Sequence, residues 1–316
     1  MNLTAIIAKR PWAWGLALLI FILLAALPLY GSEYTVILVT AIIMYVALTV
    51  SWVMFSGPTG NISLAPAAFL GLGIYTSAVM GRVLPLPLVI VAGALASLGL
   101  ALVVGALTLR LRGIYFSIFT FGLVVLIQQL ILWYEVRLKH TRGRFVIVID
   151  NQVIFYVMLT ILAALLLTAY LIRESKYGLA LKCIGEDDEA AAHAGVNVTA
   201  LKTILFGLSA FFMGATGAIM ATKWTYIDPY IAFNPLFSFM PVLMAIFGGL
   251  GTFYGPILGA AVFAYLEELL ITQFPYQYML IFGIILVVAI LYLPGGLAGL
   301  AQQWMKGGPT RRHGHS

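Results

Sequence analysis

Long apolar runs, each interrupted by a short stretch of glycine, proline or charge, follow one another along almost the whole chain. Ten can be drawn, at 12–30, 34–55, 62–80, 86–109, 114–134, 153–172, 203–223, 230–247, 253–272 and 276–293. Their lengths lie near the ~20 residues that a helix needs to cross a ~30 Å hydrocarbon core, which predicts membrane-spanning helices. Transmembrane barrels alternate apolar and polar residues, so unbroken runs argue against them. The runs at 62–80 and 230–247 contain Pro66, Pro235 and Pro241 among many small residues, and each is expected to be broken or re-entrant. Lys9 and Arg10 precede the first run as in a signal peptide. That run is too long for the apolar part of one and lacks a small-residue cleavage pattern, so an uncleaved first helix is expected.

Composition narrows the class further. Hydrophobic residues make up 63% and charged residues 9% of the 316, against roughly 45–50% and about 25% in soluble domains. Too few charges remain to coat a soluble surface, which excludes a cytosolic enzyme, a secreted disulfide scaffold and a disordered chain. The expected fold is therefore all-α: a polytopic helical membrane protein with about ten transmembrane or partly re-entrant helices, forming one domain over 1–316. The tail 306–316 is expected to be disordered. Cys183 is the only cysteine, so neither an intramolecular disulfide nor a thiolate metal site is available. No metal and no cofactor are expected.

A net charge of +6 would suggest nucleic acid in a soluble protein, but here the cations flank apolar spans and read as topology signals at a lipid bilayer. With ten spans and both termini cytoplasmic, 11 Lys and Arg lie inside and 6 outside. The segment 135–150 weakens that balance, placing Arg137, Lys139, Arg142 and Arg144 outside. Of eleven acids, five fall between Glu174 and Glu189, in the longest cytoplasmic loop. The others, Glu267 and Glu268 among them, are assigned to span ends or outside. A carboxylate at mid-membrane is expensive and usually marks an ion path, and none is placed there.

That loop, SKYGLALKCIGEDDEAAAHAGVNVTALK (Ser175–Lys202), is the most informative stretch. Leu179, Cys183, Ala190, Ala191 and Ala194 recur at helical spacing around the charged patch Glu186, Asp187, Asp188 and Glu189. Gly185 is expected to interrupt a first short helix, and Gly195 to cap a second as its left-handed terminal residue. The acids at the second helix's start favour its dipole. Such a helix offers a flat surface for a groove on another protein, or is simply a solvated loop helix.

Two glycine-rich breaks stand out elsewhere: Gly57-Pro58-Thr59-Gly60-Asn61, with Ser63 beyond it, and Gly248-Gly249-Leu250-Gly251. Glycine permits positive φ and close helix approach, and the helix starts that follow can present free N–H groups to a polar solute. Paired breaks in two halves suggest an internal duplication around a central pathway, with tight packing of small residues as the other reading. Gln128 and Gln129 line such a pathway or hydrogen-bond a neighbouring helix. The chain has no G-x-x-x-x-G-K-[ST] run, no H-E-x-x-H and no nucleophile elbow, so any ATP-driven transport needs an ATPase on another polypeptide.

These residues carry a resemblance. Glu189-Ala190-Ala191, three residues, then Gly195 is similar to the E-A-A-x-x-x-G signature of ABC importer permeases. Four further blocks resemble the branched-chain amino acid branch, in that family's order: GPTGNISLAPAAFLGLG (Gly57–Gly73), LRGIYFSIFTFG (Leu111–Gly122), LMAIFGGLGTFYGPILGAAV (Leu243–Val262) and LPGGLAGL (Leu293–Leu300). Two departures are Gly295, where the family often carries Arg, and KHTRGRFVIVID (Lys139–Asp150), more basic than that family's outer loop.

The resemblance implies a permease subunit in a bacterial-type inner membrane, with no ATPase site of its own. Its implied partners are ABC ATPase subunits, a second homologous permease and an extracytoplasmic solute-binding protein. Within the loop 174–200, it implies ATPase docking by Glu186, Asp187, Asp188, Glu189, Ala190, Ala191 and Gly195. The pathway candidates are Gly57, Gly60, Asn61, Ser63, Gln128, Gly248, Gly249 and Gly251. The implied solute is a branched-chain amino acid, with urea or a short amide as same-class variants. The rivals are a secondary transporter or channel acting without an ATPase, and a membrane-bound enzyme, for which the sequence lacks clustered His or acid ligands.

Overall fold

In the computed structural model, the described residues are 11–109, 111, 113–277, 280–285, 287 and 296–299. Nine of the ten expected spans appear among them. The tenth, 276–293, falls largely outside the described residues, although 280–285 are helical; the tail 306–316 falls wholly outside. The helices are α1 (Pro11–Tyr30), α2 (Glu33–Thr59), α3 (Pro66–Met80), α4 (Leu86–Thr108), α5 (Ile114–Tyr134) and α6 (Asn151–Glu174). They continue with α7 (Lys176–Glu186), α8 (Asp188–His193), α9 (Val198–Met220), α10 (Pro229–Ala232), α11 (Leu236–Gly248) and α12 (Gly255–Gln273). Two residues at Arg144–Phe145 (β1) pair antiparallel with Tyr226–Ile227 (β2).

The end of the bundle that carries α7 and α8 is called the lower end here. Helices α2, α4, α6 and α11 run down towards it, and α3, α5, α9 and α12 run up. Three of them share a core without large side chains between their backbones. A Cβ on Gly93 of α4 would lie 2.9 Å from Ala218 Cβ and 3.3 Å from Gly73 Cα, and one on Gly214 would lie 2.6 Å from Gly93 O. Small residues thus let α3, α4 and α9 approach at backbone distance, as lipid-embedded helices do to gain dispersion contact. Ser97 Oγ donates to Phe69 O at 2.9 Å across the same seam. Below it, the buried rings of Phe55, Phe69, Phe116 and Phe206 pack at centroid distances of 4.8–6.0 Å.

Both spans marked by proline are discontinuous. Helix α3 has 15 residues, about 22 Å at 1.5 Å each, too short for the core. The partly buried stretch before it is unwound, and its polar backbone is satisfied by side chains. Trp52 Nε1 donates to Ser63 O at 2.7 Å, Leu64 N to Thr120 Oγ1 at 2.9 Å, Ser117 Oγ to Ile62 O at 2.7 Å and Ala67 N to Ser238 Oγ at 3.1 Å. Non-helical backbone at this depth is stable because protein groups replace the missing water. The second discontinuous span is split into α10 and α11 around Phe233–Pro235.

The pairing of breaks differs from the expected one. A long helix, an interruption, a short helix and a long helix occur as α2, 60–65, α3, α4, and again, running the opposite way, as α9, 224–235 (which holds β2 and the one-turn α10), α11, α12. The counterpart of Gly60–Ala65 is therefore 224–235, whereas Gly248–Gly251 is a tight turn between α11 and α12. A Cβ on Gly259 would lie 2.6 Å from Gly248 N, and one on Gly255 2.7 Å from Gly248 O, so packing governs that turn. The helix starts also differ from expectation. The N–H groups of Ala67, Ala68 and Phe69 are bonded to Ser238 Oγ and Ala65 O within the chain, not left free for a solute.

At the upper end the basic segment folds down as a clasp. Glu135, 1% exposed, accepts from Tyr75 Oη at 3.1 Å, Gly143 N at 2.9 Å and Arg144 Nε at 3.0 Å. Arg142 lies 3.9 Å from Asp228 and over the ring of Tyr230. Two of the four cations that weaken the charge count are thus paired with acids. Glu267 sits six residues before the end of α12, bonded to Tyr45, with a buried Oε2 that has no hydrogen-bond partner among the described residues.

Candidate functional site

Helices α7 and α8 form an elbow. Ser175 Oγ accepts from Tyr177 N at 3.2 Å and caps α7. The helix then runs through Gly185 to Glu186, so Gly185 does not interrupt it. A Cβ there would lie 2.5 Å from Pro58 O, which explains a glycine at this place: α7 rests on the end of α2. The break falls at Asp187, whose φ is −157° and whose carboxylate accepts from Glu189 N at 2.7 Å and Ala190 N at 3.2 Å, capping α8.

The far end of α8 closes as expected. Gly195 has φ +86°; Val196 N donates to Ala191 O at 3.1 Å and Gly195 N to Ala192 O at 3.0 Å, the two bonds of a Schellman cap. Glycine meets the left-handed residue at no steric cost.

The candidate docking residues divide by direction. Asp187 is engaged on its own helix. Asp188 Oδ2 lies 2.8 Å from Lys202 Nζ of α9, and Ala191 is 1% exposed against the bundle. Glu186, Glu189, Ala190, Ala192, His193 and Gly195 are exposed. Of the four acids, Glu186, Asp187 and Glu189 are exposed and Asp188 is half-buried, and Asp187 and Asp188 also hold the elbow in place.

The pathway candidates are dispersed. Gly60 caps α2 with φ +67°, its N–H donating to Ser56 O at 3.1 Å. Asn61 and Ser63 are buried in the unwound stretch, and Gly57 is exposed in the last turn of α2. Gln128, 9% exposed, donates to Pro229 O at 3.4 Å, the helix-contact role of the two open to it. Gln129 points out from the largely bare face of α5, with Leu126 and Leu130 as exposed neighbours. Gly248 and Gly249 are buried in the α11–α12 turn, and Gly251 is exposed.

One cluster does form. Thr59, Gly60 and Asn61 face Ile184 to Asp188 and Lys202 across an open cleft of about 340 Å³, so the first glycine break and the elbow are neighbours. The cavity beside the unwound stretch, lined by Trp52, Ser63, Pro66, Ser209 and nearby aromatics, has no room for a water. Sequence reasoning missed Lys202, read as a topology charge at a span's edge, and Glu135, read as a span-end acid. A lone cation four residues into a helix beside an acidic patch was the available signal for Lys202.

The geometry describes a bundle of long apolar helices with a short capped helix presented at one end, and comparison with known proteins supplies its family. High-affinity branched-chain amino acid transport system permease protein LivM of Escherichia coli is 24% identical over 91% of this chain and 75% of its own length. The LivH permease protein of the same system name, from Salmonella typhimurium, is 27% identical over 45% of the chain and 46% of its own. The fructose import permease protein FrcC of Rhizobium meliloti is 28% identical over 45% and 41%. No solved structure matches. Residues 34–290, most of the chain, match the family described as branched-chain amino acid transport system / permease component. The chain is a member of that family, a permease subunit of an ABC importer.

Proposed function

We propose that this subunit carries branched-chain amino acids, delivered by an extracytoplasmic solute-binding protein, across an inner membrane with both termini on the cytoplasmic side. ABC ATPases dock from the cytoplasm on the exposed face of the elbow, at Glu186, Glu189, Ala190 and Gly195. The observation that carries this reading is α8 itself: six residues, capped at both ends and seated on α9 by an ion pair, with one face left uncovered. A helix so short is not stable alone, so its ordering points to a surface built for contact.

The solute's route lies between this chain and a second permease subunit. The close-packed interior beside the unwound stretch has no room for a water, while α5 is mostly uncovered and carries Gln129 on its bare face. A polar side chain is costly against lipid and is better placed against a partner or a wet path.

The test is co-expression with the ABC ATPase, second permease and binding protein encoded in the same genome. Purification through the ATPase should bring this chain down, and proteoliposomes should take up labelled leucine, isoleucine or valine only with ATP. Uptake that needs no ATPase would contradict the reading, and uptake of fructose in place of leucine would contradict the solute.

A further inference from the structure

An ion pair joins α8 to α9 at the edge of the open cleft. Lys202 Nζ lies 2.8 Å from Asp188 Oδ2, and the side chains are 3% and 25% exposed. Burying an ammonium group is costly, and an apolar pair of the same shape would usually be at least as stable. Stability alone therefore does not account for the pair, and position does. Lys202 belongs to α9, whose Gly214, Gly217 and Ala218 lock it at backbone distance to α3 and α4. The other arm of the elbow is tied elsewhere: α7 follows directly on α6, and Gly185 sits on the Pro58 carbonyl of α2. The junction at Asp187 thus joins two helix groups that also pack on each other through Phe55 and Phe206, with the cleft lined by Thr59, Gly60 and Asn61 at their lower edge.

We infer that Lys202 is a positioning residue for transport: its ion pair with Asp188 is the strut through which displacement of α8 moves the α3–α4–α9 group against the α2–α6 group. This rests on the proposed docking of an ATPase on α8. A packed, charge-paired contact transmits displacement because it has discrete arrangements and does not deform smoothly.

The test uses the assembled complex in proteoliposomes and compares solute taken up per ATP hydrolysed for K202M and for the double variant K202M/D188N. The double variant removes both charges, so no orphaned carboxylate is left to unfold the site. Both variants should retain the ATPase on purification and keep basal hydrolysis, while uptake per ATP falls about tenfold, a typical coupling between distant sites. A wild-type ratio in the double variant overturns the inference. Loss of the double variant from the membrane also overturns it, by marking the pair as a folding element only. Loss of the ATPase from the complex overturns it too, by placing the pair in the contact itself. The docking reading fails separately, if E189K leaves the ATPase bound and transport intact.

Discussion

Gly60 and Gly214 both occupy sites where only glycine stands easily, yet a side chain would meet different physics at each. At Gly60 a Cβ has nothing within 4 Å, and the obstacle is a φ of +67°, a left-handed residue costing about 1–2 kcal/mol for an L side chain. At Gly214 a Cβ would lie 2.6 Å from Ser97 Cβ and from the Gly93 carbonyl, so whole helices must move. We predict that Gly60→Ala is mild, and that Gly60→Ile loses uptake at near-normal abundance. Gly214→Ala should lower abundance and uptake together. Immunoblot and uptake on the same membranes separate the two. Equal proportional losses for Gly60→Ile would make Gly60 a packing site and remove it from the pathway candidates.

Among the elements, the upper clasp depends on one carboxylate. Glu135 joins α5 to α3 through Tyr75, and to the strap that forms β1 through Gly143 and Arg144. Removing one partner from a buried pair costs about 3–5 kcal/mol, so Glu135→Ala should lower the thermal midpoint in detergent markedly. Arg142→Ala should barely change it, because that side chain is 62% exposed and its ion pair is long at 3.9 Å. Equal shifts for the two would refute the clasp.

The spans were legible in the sequence because their apolar runs match the bilayer, and the unwound entry to α3 because Pro66 follows a glycine-rich stretch. The elbow was half legible. Gly195 behaves as its residue type dictates, but glycine inside a helix costs only about 1 kcal/mol, and packing on Pro58 offsets that at Gly185. The stop signal was Asp187, a preferred capping residue. The interruption before α11 was legible from Pro235, but its equivalence to 60–65 was not, because the two glycine-rich breaks were the stronger sequence match. Which acids face inward was not legible, since it depends on α9 arriving beside α8.

For the whole molecule, orientation and energy source stand or fall together, since an elbow on the wrong side of the membrane meets no ATPase. Cys183 is exposed on α7 and is the only thiol. In intact cells it should react with a membrane-permeant maleimide and be spared by an impermeant one, and ready labelling from outside would invert the topology. The central claim is that a separate ATPase drives this chain through the exposed face of α8. Glu189→Lys reverses one exposed charge in the first turn of α8, at a folding cost of about 1 kcal/mol from the helix dipole. The most direct measurement is solute-stimulated ATP hydrolysis and uptake by the reconstituted complex carrying that variant. The account predicts normal abundance with both activities lost; normal stimulated hydrolysis with normal uptake would contradict it.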